Sequence, residues 1–558
     1  MNHRKTLEQI LVATGRRALF CTALLCMVNA AGAAVTISTK PTKNITCNAA
    51  GTCTPTRKSA VLNATDLMNL LATSSIDINT GPAVRAAETS NIVIDAPITW
   101  SSASTLTLDA YQSVTVDHPV ADAGLGGISI ITNDGGSGGI LSFGAKGSIT
   151  ISDIADSLLI NGKPYVLIAS PAELARLIAD NPSGYFALAA PYDAAGEPYA
   201  SAPVPTVFTG TFEGLGNRIT HLAIHDKLGG DPAGFFAHVG AGGEMHDVEL
   251  MEVMVTGTSP VGGAVAINEG LLTGSIVDGS VMATVTDDTV TASAPSLIVG
   301  GLVGENDGTI SYSRSTATVT GTLTDKKGEG GTAYAGGLVG FNNGSAATIT
   351  ASWGGGPLNL TTTTSNPGST LSYLGGLAGY NELGSILSYS FAVGSVTFTG
   401  NCLKCGSTGG VGDNAGGLVG TNDNGNIVDA SASGAVVAGN FGSAGGLVGV
   451  NENVIACGCG SIDATVATGS VSGSVAGGLL GSNNEIPVTD STASGVVSGG
   501  LYSYHSVGGF VGYDASPSPP QPSSFFTNAT WNLATSGISD STMGAGNVPS
   551  DSGITGID

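Results

Sequence analysis

The phrase GGLVG, first complete at Gly300 to Gly304, returns through the second half of this 558-residue chain. It recurs unchanged at 336–340, 416–420 and 445–449, and with one substitution at 375–379, 477–481 and 508–512. A degenerate copy, GGAVA, begins at Gly262. The second glycines of successive copies lie 29 to 41 residues apart, a spacing typical of repeat proteins whose units stack on one another.

The repeat extends beyond its glycines. In six copies an asparagine stands two residues after the closing glycine, and Asp514 takes that place in the last copy. We therefore assign to the structural repeat the second glycine, the leucine, the closing glycine and the asparagine of six copies: Gly301, Leu302, Gly304, Asn306, Gly337, Leu338, Gly340, Asn342, Gly376, Leu377, Gly379, Asn381, Gly417, Leu418, Gly420, Asn422, Gly446, Leu447, Gly449, Asn451, Gly478, Leu479, Gly481 and Asn483.

The segments between copies predict short strands. Small, β-branched and polar residues alternate there, as in TISYSRSTATVTG from Thr309, and Gly, Asn and Asp clusters predict turns. Units stacked in register predict an all-β fold, a parallel β-helix with rungs about 4.8 Å apart and with short capping or decorating helices.

Each position that recurs in the repeat unit has an expected role in such a stack. Glycine accepts positive φ and lets backbones approach closely at a corner. The leucine and valine are expected to point alternately, with one of them in the interior. The recurrent asparagine is expected to form a ladder of amide hydrogen bonds from rung to rung.

GGLVG followed by asparagine at this spacing resembles the GLUG motif of large bacterial surface proteins. These include filamentous-haemagglutinin-like adhesins and some IgA-specific metallopeptidases. The resemblance covers residues 262–512. It implies a surface location, a passive role and a right-handed β-helix.

An earlier stretch carries a second resemblance. NIVIDAPITWSSASTLTLDAYQSVTVDHPV, residues 91–120, is similar to the rungs of filamentous haemagglutinins, and the similarity covers residues 60–160. The NPNG and NPNL signatures of the two-partner secretion domain are not present in the sequence. The chain therefore resembles a shortened relative of these adhesins.

The chain divides into five predicted segments. Residues 1–33 are a signal peptide, with basic residues before an apolar run from Ala18 to Ala30, and an uncleaved anchor is the alternative. Haemagglutinin-like rungs with a cap span 34–160. A transitional region with one helix and the first hydrophobic rungs spans 161–260, GLUG rungs span 261–515, and a Ser/Pro-rich loop and C-terminal cap span 516–558. Trp531, with Phe525 and Phe526, is assigned to that cap, and an exposed aromatic patch is the alternative.

Two helices are predicted from their start signals. Asn63 caps the first, with Asp66 at its third position and Leu67, Leu70 and Leu71 on one face. In the second, Ser170 is the cap, Pro171 takes the first position and Glu173 the third, and the helix runs to Asp180 before Asn181-Pro182.

The charge balance disfavours a nucleic-acid partner. The chain has 42 acidic and 18 basic residues and a formal net charge of −24, which leaves few cations for a phosphate backbone. We assign the acidity to solubility, and attraction of calcium is the alternative.

Because the sequence predicts export, disulfides are the expected state of the cysteines. Six remain after the signal peptide, and we assign a disulfide to Cys47 and Cys53. The pairing of Cys402, Cys405, Cys457 and Cys459 stays open, with zinc binding as a minor alternative.

No motif points to catalysis. The sequence contains neither HExxH nor GxSxG, and we expect no metal and no cofactor. His221 and His225 are expected to face solvent. A carbohydrate-active β-helix would need carboxylates on one face, and the candidates are Asp193, Glu213, Asp247, Glu249, Glu269 and Glu305.

The sequence thus favours a non-enzymatic adhesin, secreted or on the outer surface of a Gram-negative bacterium. Its expected partners are a host or neighbouring-cell surface or matrix and an export protein. A carbohydrate-active lyase or hydrolase is the alternative, and a passive envelope or matrix component is a third hypothesis.

Overall fold

The computed structural model describes residues 34–81, 89–226, 230–287, 294–366, 370–387, 389–402, 412–439, 442–454, 459–499, 506–515, 525–551 and 553–558. The predicted signal peptide and the Ser/Pro-rich stretch at 516–524 lie outside these ranges. The chain forms two compact units, Met1–Tyr165 and Val166–Asp558. The all-β fold class is confirmed in the stacked parallel strands of these units, and the right-handed sense stays a prediction.

The first unit contains three sheets of short strands, nearly all parallel. Sheet A consists of Ala34–Ser38, Ala60–Asn63, Asn91–Ile94, Val114–Val116 and Leu141–Phe143. Sheet B consists of Ile45–Cys47, Thr52–Pro55, Ile76–Asn79, Thr105–Asp109, Gly127–Ile131, Ser157–Ile160 and the first residues of Lys163–Ile168. Sheet C consists of Ile98–Trp100, Val120–Asp122 and Ile149–Ile151.

Helix α1, Ala64–Leu71, begins where its cap predicts. The Asn63 side chain accepts hydrogen bonds from the backbone N–H groups of Thr65 and Asp66, which have no partner inside the helix. Of the predicted apolar face, Leu67 and Leu71 are fully buried and Leu70 is half-buried. Cys47 and Cys53 form a disulfide across the antiparallel pair Ile45–Cys47 and Thr52–Pro55.

The second unit contains four sheets, and from Phe236 onward each full rung visits them in the order F, D, E, G. Sheet D consists of the last residues of Lys163–Ile168, then Tyr185–Leu188, Thr211–Glu213, Glu244–His246, Leu271–Thr273, Thr309–Ser311, Thr348–Thr350, Ser385–Leu387, Asn426–Val428, Ser461–Asp463, Val488–Thr489 and Phe526–Thr527. Sheet E consists of Tyr192–Asp193, Arg218–Thr220, Ala223–His225, Glu249–Gly257, Ile276–Thr286, Arg314–Ser315, Thr318–Asp325, Trp353–Gly354, Leu358–Thr364, Phe391–Ala392, Val396–Cys402, Ser431–Ala432, Val436–Val437, Val466–Ala467, Val471–Gly473, Thr492–Ala493, Val497–Gly499, Ala529–Asn532 and Ile554–Ile557.

The other two sheets meet at the repeated glycines. Sheet F consists of Phe236–Val239, Val265–Asn268, Val303–Asn306, Val339–Asn343, Ala378–Glu382, Val419–Asp423, Val448–Glu452, Leu480–Asn483 and Val511–Asp514. Sheet G consists of Val261–Gly262, Ser296–Gly300, Gly331–Gly336, Thr370–Gly375, Gly412–Gly416, Ser443–Gly445, Val475–Gly477 and Ser506–Gly508.

Helix α2, Pro171–Asp180, has the predicted bounds. The Ser170 hydroxyl accepts a hydrogen bond from the Glu173 N–H, and the Glu173 carboxylate accepts one from the Ala169 N–H. Leu174 and Ile178 are fully buried in the core of the second unit. The helix therefore contributes apolar surface to the first rungs.

The glycine pair forms the corner between sheets G and F. The Leu338 carbonyl accepts hydrogen bonds from the Leu302 and Val303 N–H groups at 2.9 and 3.0 Å, and the same pattern recurs from rung to rung. A β-carbon on Gly336 would overlap the Val339 carbonyl oxygen of its own corner, and one on Gly376 would overlap the Gly417 carbonyl oxygen of the next rung.

Close approach alone therefore explains these glycines, and the expectation of positive φ is wrong for the described GLUG glycines, none of which has positive φ. The expected alternation of leucine and valine is also wrong. Leu302 and Val303 are both fully buried, as are Leu338 and Val339, because the chain turns between the two residues and directs both side chains inward.

The asparagines form the ladder that the repeat predicts. Each side-chain N–H donates to the amide oxygen of the next asparagine at 2.7 to 2.9 Å. The ladder starts one rung earlier than the six assigned copies, at Asn268 of the degenerate copy, and all of its members are fully buried: Asn268, Asn306, Asn342, Asn381, Asn422, Asn451 and Asn483.

Residues 543–547 cover the last GLUG corner. The Gly544 carbonyl accepts hydrogen bonds from Phe510 and Val511, in the manner of the leucine carbonyl in a full copy. The Asn547 side chain exchanges two hydrogen bonds with the Asp514 backbone. Trp531 is fully buried. Its strand, Ala529–Asn532, pairs in parallel with the last strand, Ile554–Ile557.

Replacing Gly376 by alanine should destabilise the second unit by about 2 kcal/mol, because the new methyl group overlaps a neighbouring rung. Gly344→Ala is the matched control, since Gly344 has positive φ but open space around its β-position, and it should cost only about 1 kcal/mol. Urea unfolding followed by circular dichroism measures both. Equal costs would contradict the close-approach argument.

Replacing Asn381 by alanine should cost about 2 to 4 kcal/mol, because it leaves the Asn342 N–H and the Asn422 amide oxygen buried without partners. Asn359→Ala is the control, because Asn359 is exposed on sheet E. The same unfolding measurement applies, and a loss no larger than that of the control would refute a stabilising role for the ladder.

Candidate functional site

The corner between sheets D and E, called the D–E corner below, has one left-handed residue in each rung. The column runs over nine residues, with φ between +48° and +64°: Asp247, Gly274, Tyr312, Ala351, Tyr389, Asp429, Ala464, Asp490 and Asn528. Asp, Asn and Gly suit this conformation, since Gly lacks a β-carbon and the short polar side chains bond locally.

A buried hydroxyl column lies directly inside this corner. The Ser275 N–H donates to the Ser313 hydroxyl and the Ser313 N–H to the Ser352 hydroxyl, both at 3.1 Å. Ser390 continues the column, Ala430 interrupts it on the next rung, and Thr465 and Ser491 resume it. All of these hydroxyl residues are fully buried. The outward residue that precedes each hydroxyl is thereby held in a fixed position.

Two of the six candidate carboxylates are coupled across neighbouring rungs. Glu213 is 5% exposed, and its carboxylate accepts a hydrogen bond from the Leu215 N–H. Burial and the charge of Asp247 hold the pKa of Glu213 well above its usual range. Burial likewise raises the pKa of Asp247 to about 7. Burial therefore favours the protonated form of both carboxyl groups, and the burial of Glu213 leaves little access for a substrate.

The other four carboxylates contact basic or polar neighbours. His221 lies 2.8 Å from Asp193 through Nδ1 and 3.1 Å from Glu252 through Nε2. Arg218 donates to Glu249 at 2.7 Å. Glu269 lies 3.3 Å from His238. Burial and Asp307 raise the pKa of Glu305.

Asp247 and Glu249, two residues apart in the sequence, do not lie on one strand. Asp247 lies at the left-handed D–E corner, which ends the two-residue alternation before Glu249 begins its strand. His221 is half-exposed, as expected, whereas the His225 ring is half-buried against Thr256.

Within the described ranges, no group of three or more His, Cys, Asp or Glu side chains is placed to hold a metal ion. Cys459 is disulfide-bonded, whereas Cys405 and Cys457 and the side chain of Cys402 lie outside the described residues. In the same ranges, no helix is both long and apolar enough to cross a bilayer.

Aromatic side chains lie in two clusters on the outer surface of the second unit. In the first, Tyr334, Phe341, Tyr373 and Tyr380 pack on one another with ring centroids 4.9 to 5.6 Å apart across sheets G and F. Burial and neighbouring charges raise the pKa of Tyr373 to about 12. These rings bury much of their surface against each other.

The second cluster lies at the D–E corner and was not identified from the sequence. It contains Tyr312, Arg314, Trp353, Tyr389 and Phe391. Its signal is the recurrence of large side chains on either side of the buried serine, in YSR at 312–314 and YSF at 389–391, whereas ASW at 351–353 has a large side chain on one side only. Alternation of inward and outward residues predicts that each serine faces inward. It does not indicate that the large residues beside the serines form one cluster.

The stability of the second unit should fall as pH rises from 5 to 8, by roughly 1 to 3 kcal/mol from the Glu213–Asp247 pair. Both folded-state pKa values lie above the unfolded ones, so the folded state binds more protons and its advantage is lost as those protons leave. Glu213→Gln should reduce this loss, and the exposed Glu485→Gln should not. Urea unfolding at both pH values tests this, and an unchanged pH dependence in Glu213→Gln would rule out the coupled pair as its source.

Two comparisons with known proteins agree with the repeat. A family model described as the GLUG motif matches residues 296–320, which contain the first GGLVG copy and Asn306. Halomucin of Haloquadratum walsbyi (strain DSM 16790 / HBSQ001) is 33% identical over 111 residues, which is 20% of this chain and 1% of that protein. The chain thus aligns with only a small part of this relative. It is a repeat protein that carries the GLUG motif.

Proposed function

We propose that this chain is a secreted or surface-displayed adhesin-like protein that presents the outer faces of its β-helix to other cells or to matrix. In this role it is not an enzyme, and a Gram-negative outer surface is the expected location. The GLUG motif and the similarity to halomucin support an extracellular or surface repeat protein.

The observation that carries the proposal is the internal use of the repeat. The GLUG glycines form the corners, the leucines lie in the core and the asparagines form the ladder. The repeated residues therefore build a scaffold and leave no recurring chemical group for a reaction. The outward residues change from rung to rung, as expected for a surface whose local patches contact different partners.

The candidate carboxylates support a non-catalytic role over the alternative of a carbohydrate-active enzyme. Glycoside hydrolysis needs two accessible carboxyl groups on either side of the scissile bond. Glu213 is buried, and Asp193 and Glu249 contact His221 and Arg218.

Fractionation of the native organism tests the location. We expect immunodetection on the surface or in the medium, with a mature amino terminus near Ala34, and reduced attachment of cells that lack the protein. A variant without residues 1–33 is the control and should stay inside the cell. Retention of the full-length chain in the cytoplasm or periplasm, or unchanged attachment after its loss, would refute the adhesin proposal.

A further inference from the structure

Two tyrosines lie at backbone positions where the fold does not favour tyrosine. Tyr312 has φ of +50° and Tyr389 has φ of +64°, both in the left-handed column of the D–E corner. A bulky side chain there costs about 1 kcal/mol, because its β-carbon crowds the following carbonyl oxygen. Both residues are more than half exposed, at 57% and 55%, so burial offsets little of this cost.

Neighbouring large side chains extend the surface along sheet E. Arg314, Trp353 and Phe391 are in register on three successive rungs. The Trp353 and Phe391 rings are parallel within 7°, with centroids 5.5 Å apart. The Arg314 guanidinium carbon lies 5.9 Å from the centre of the Trp353 ring, a distance suited to a cation–π contact.

The middle rung leaves a gap between the tyrosines. Ala351 takes the corner position there, so the two tyrosines stand two rungs apart, about 9.6 Å along the stack. The hydroxyl column behind the corner holds Ser313 and Ser390, which follow the tyrosines, in the interior. The backbone that carries both tyrosines is therefore anchored, which lowers part of the entropy cost of binding a ligand.

Arg314 is the one charged side chain among the five residues of this surface. The protein has a formal net charge of −24, yet within the described residues no carboxylate lies within ion-pair distance of Arg314. A planar guanidinium held against an aromatic ring suits two-pronged recognition of a carboxylate. The ligand that complements this surface is therefore anionic and has flat apolar faces.

We propose that the surface formed by Tyr312, Arg314, Trp353, Tyr389 and Phe391, with the gap at Ala351, binds a carboxylated saccharide. The C–H faces of the sugar rings pack on the aromatic rings, the tyrosine hydroxyls bond to sugar hydroxyls, and Arg314 binds a uronate carboxylate. This inference deepens the proposed function and rests on it for its biological setting, since it names the ligand class of an adhesive surface.

Tryptophan fluorescence of the purified full chain provides a local readout. The chain has three tryptophans, and Trp100 and Trp531 are buried at 4% and 0% exposure, which leaves Trp353 as the one accessible to a ligand. A galacturonate hexamer should change the Trp353 emission in a saturable manner. A neutral maltohexaose should bind at least tenfold more weakly, because it offers no carboxylate to Arg314.

Three variants test the residues without unfolding the protein. Tyr312→Asn and Tyr389→Asn place a residue that suits the left-handed backbone, so each should keep or raise the unfolding temperature while weakening galacturonate binding about tenfold. Arg314→Gln should weaken it about 10- to 100-fold. Ala464→Asn is the matched control, because Ala464 lies in the same column outside the surface and should leave binding unchanged.

Three results with the two hexamers and the variants would overturn the proposal. These are no binding of the hexamer at millimolar concentration, equal binding of maltohexaose, and equal binding by the Tyr→Asn variants and the wild-type chain. Equal competition by a poly-glutamate peptide would likewise overturn it and indicate a general anion site. Since the assay uses purified protein, its result is independent of the cellular location, which fractionation tests separately.

Discussion

Backbone-to-backbone contact at the glycine corner is the constraint on which the second unit depends. Where sheet G passes into sheet F, a carbonyl oxygen occupies the space that a side chain on the first glycine would need. The second glycine meets the carbonyl of the next rung in the same way. Each rung contacts the next through its glycines and is contacted in the same way by the rung before it. Glycine is therefore required at the corner of every rung, and this requirement produces the repeat in the sequence.

The asparagine ladder and the serine column fix how successive rungs align with one another. An apolar interior alone would tolerate displacement of a rung by two residues, because alternate side chains would still face inward. The asparagine ladder does not tolerate it, since a displaced rung would leave buried amide groups without partners. The serine column adds the same restriction at the D–E corner. The buried amide and hydroxyl groups thus find hydrogen-bond partners only when the rungs are in this one register.

The β-helix separates structural residues from residues available for contact. Inward positions are fixed by close packing and by the ladders, whereas outward positions face few such restrictions. Most outward residues at the D–E corner suit its left-handed backbone, and Tyr312 and Tyr389 do not. A residue that the scaffold disfavours and solvent surrounds is a stronger indicator of contact with a partner than one that also packs in the core.

The sequence by itself determined the repeat, the strand-rich architecture, the start and end of α2 and the role of the asparagines, because these depend on local signals or on recurrence. Tertiary structure decided why the glycines are needed, how Leu302 and Val303 are both buried, and which carboxylate lies near Glu213. It also brought Tyr312, Trp353 and Tyr389 to one surface. These outcomes depend on contacts between residues about 30 to 40 positions apart, and the side-chain directions at the corners follow from backbone dihedral angles that a pattern of residue types does not specify.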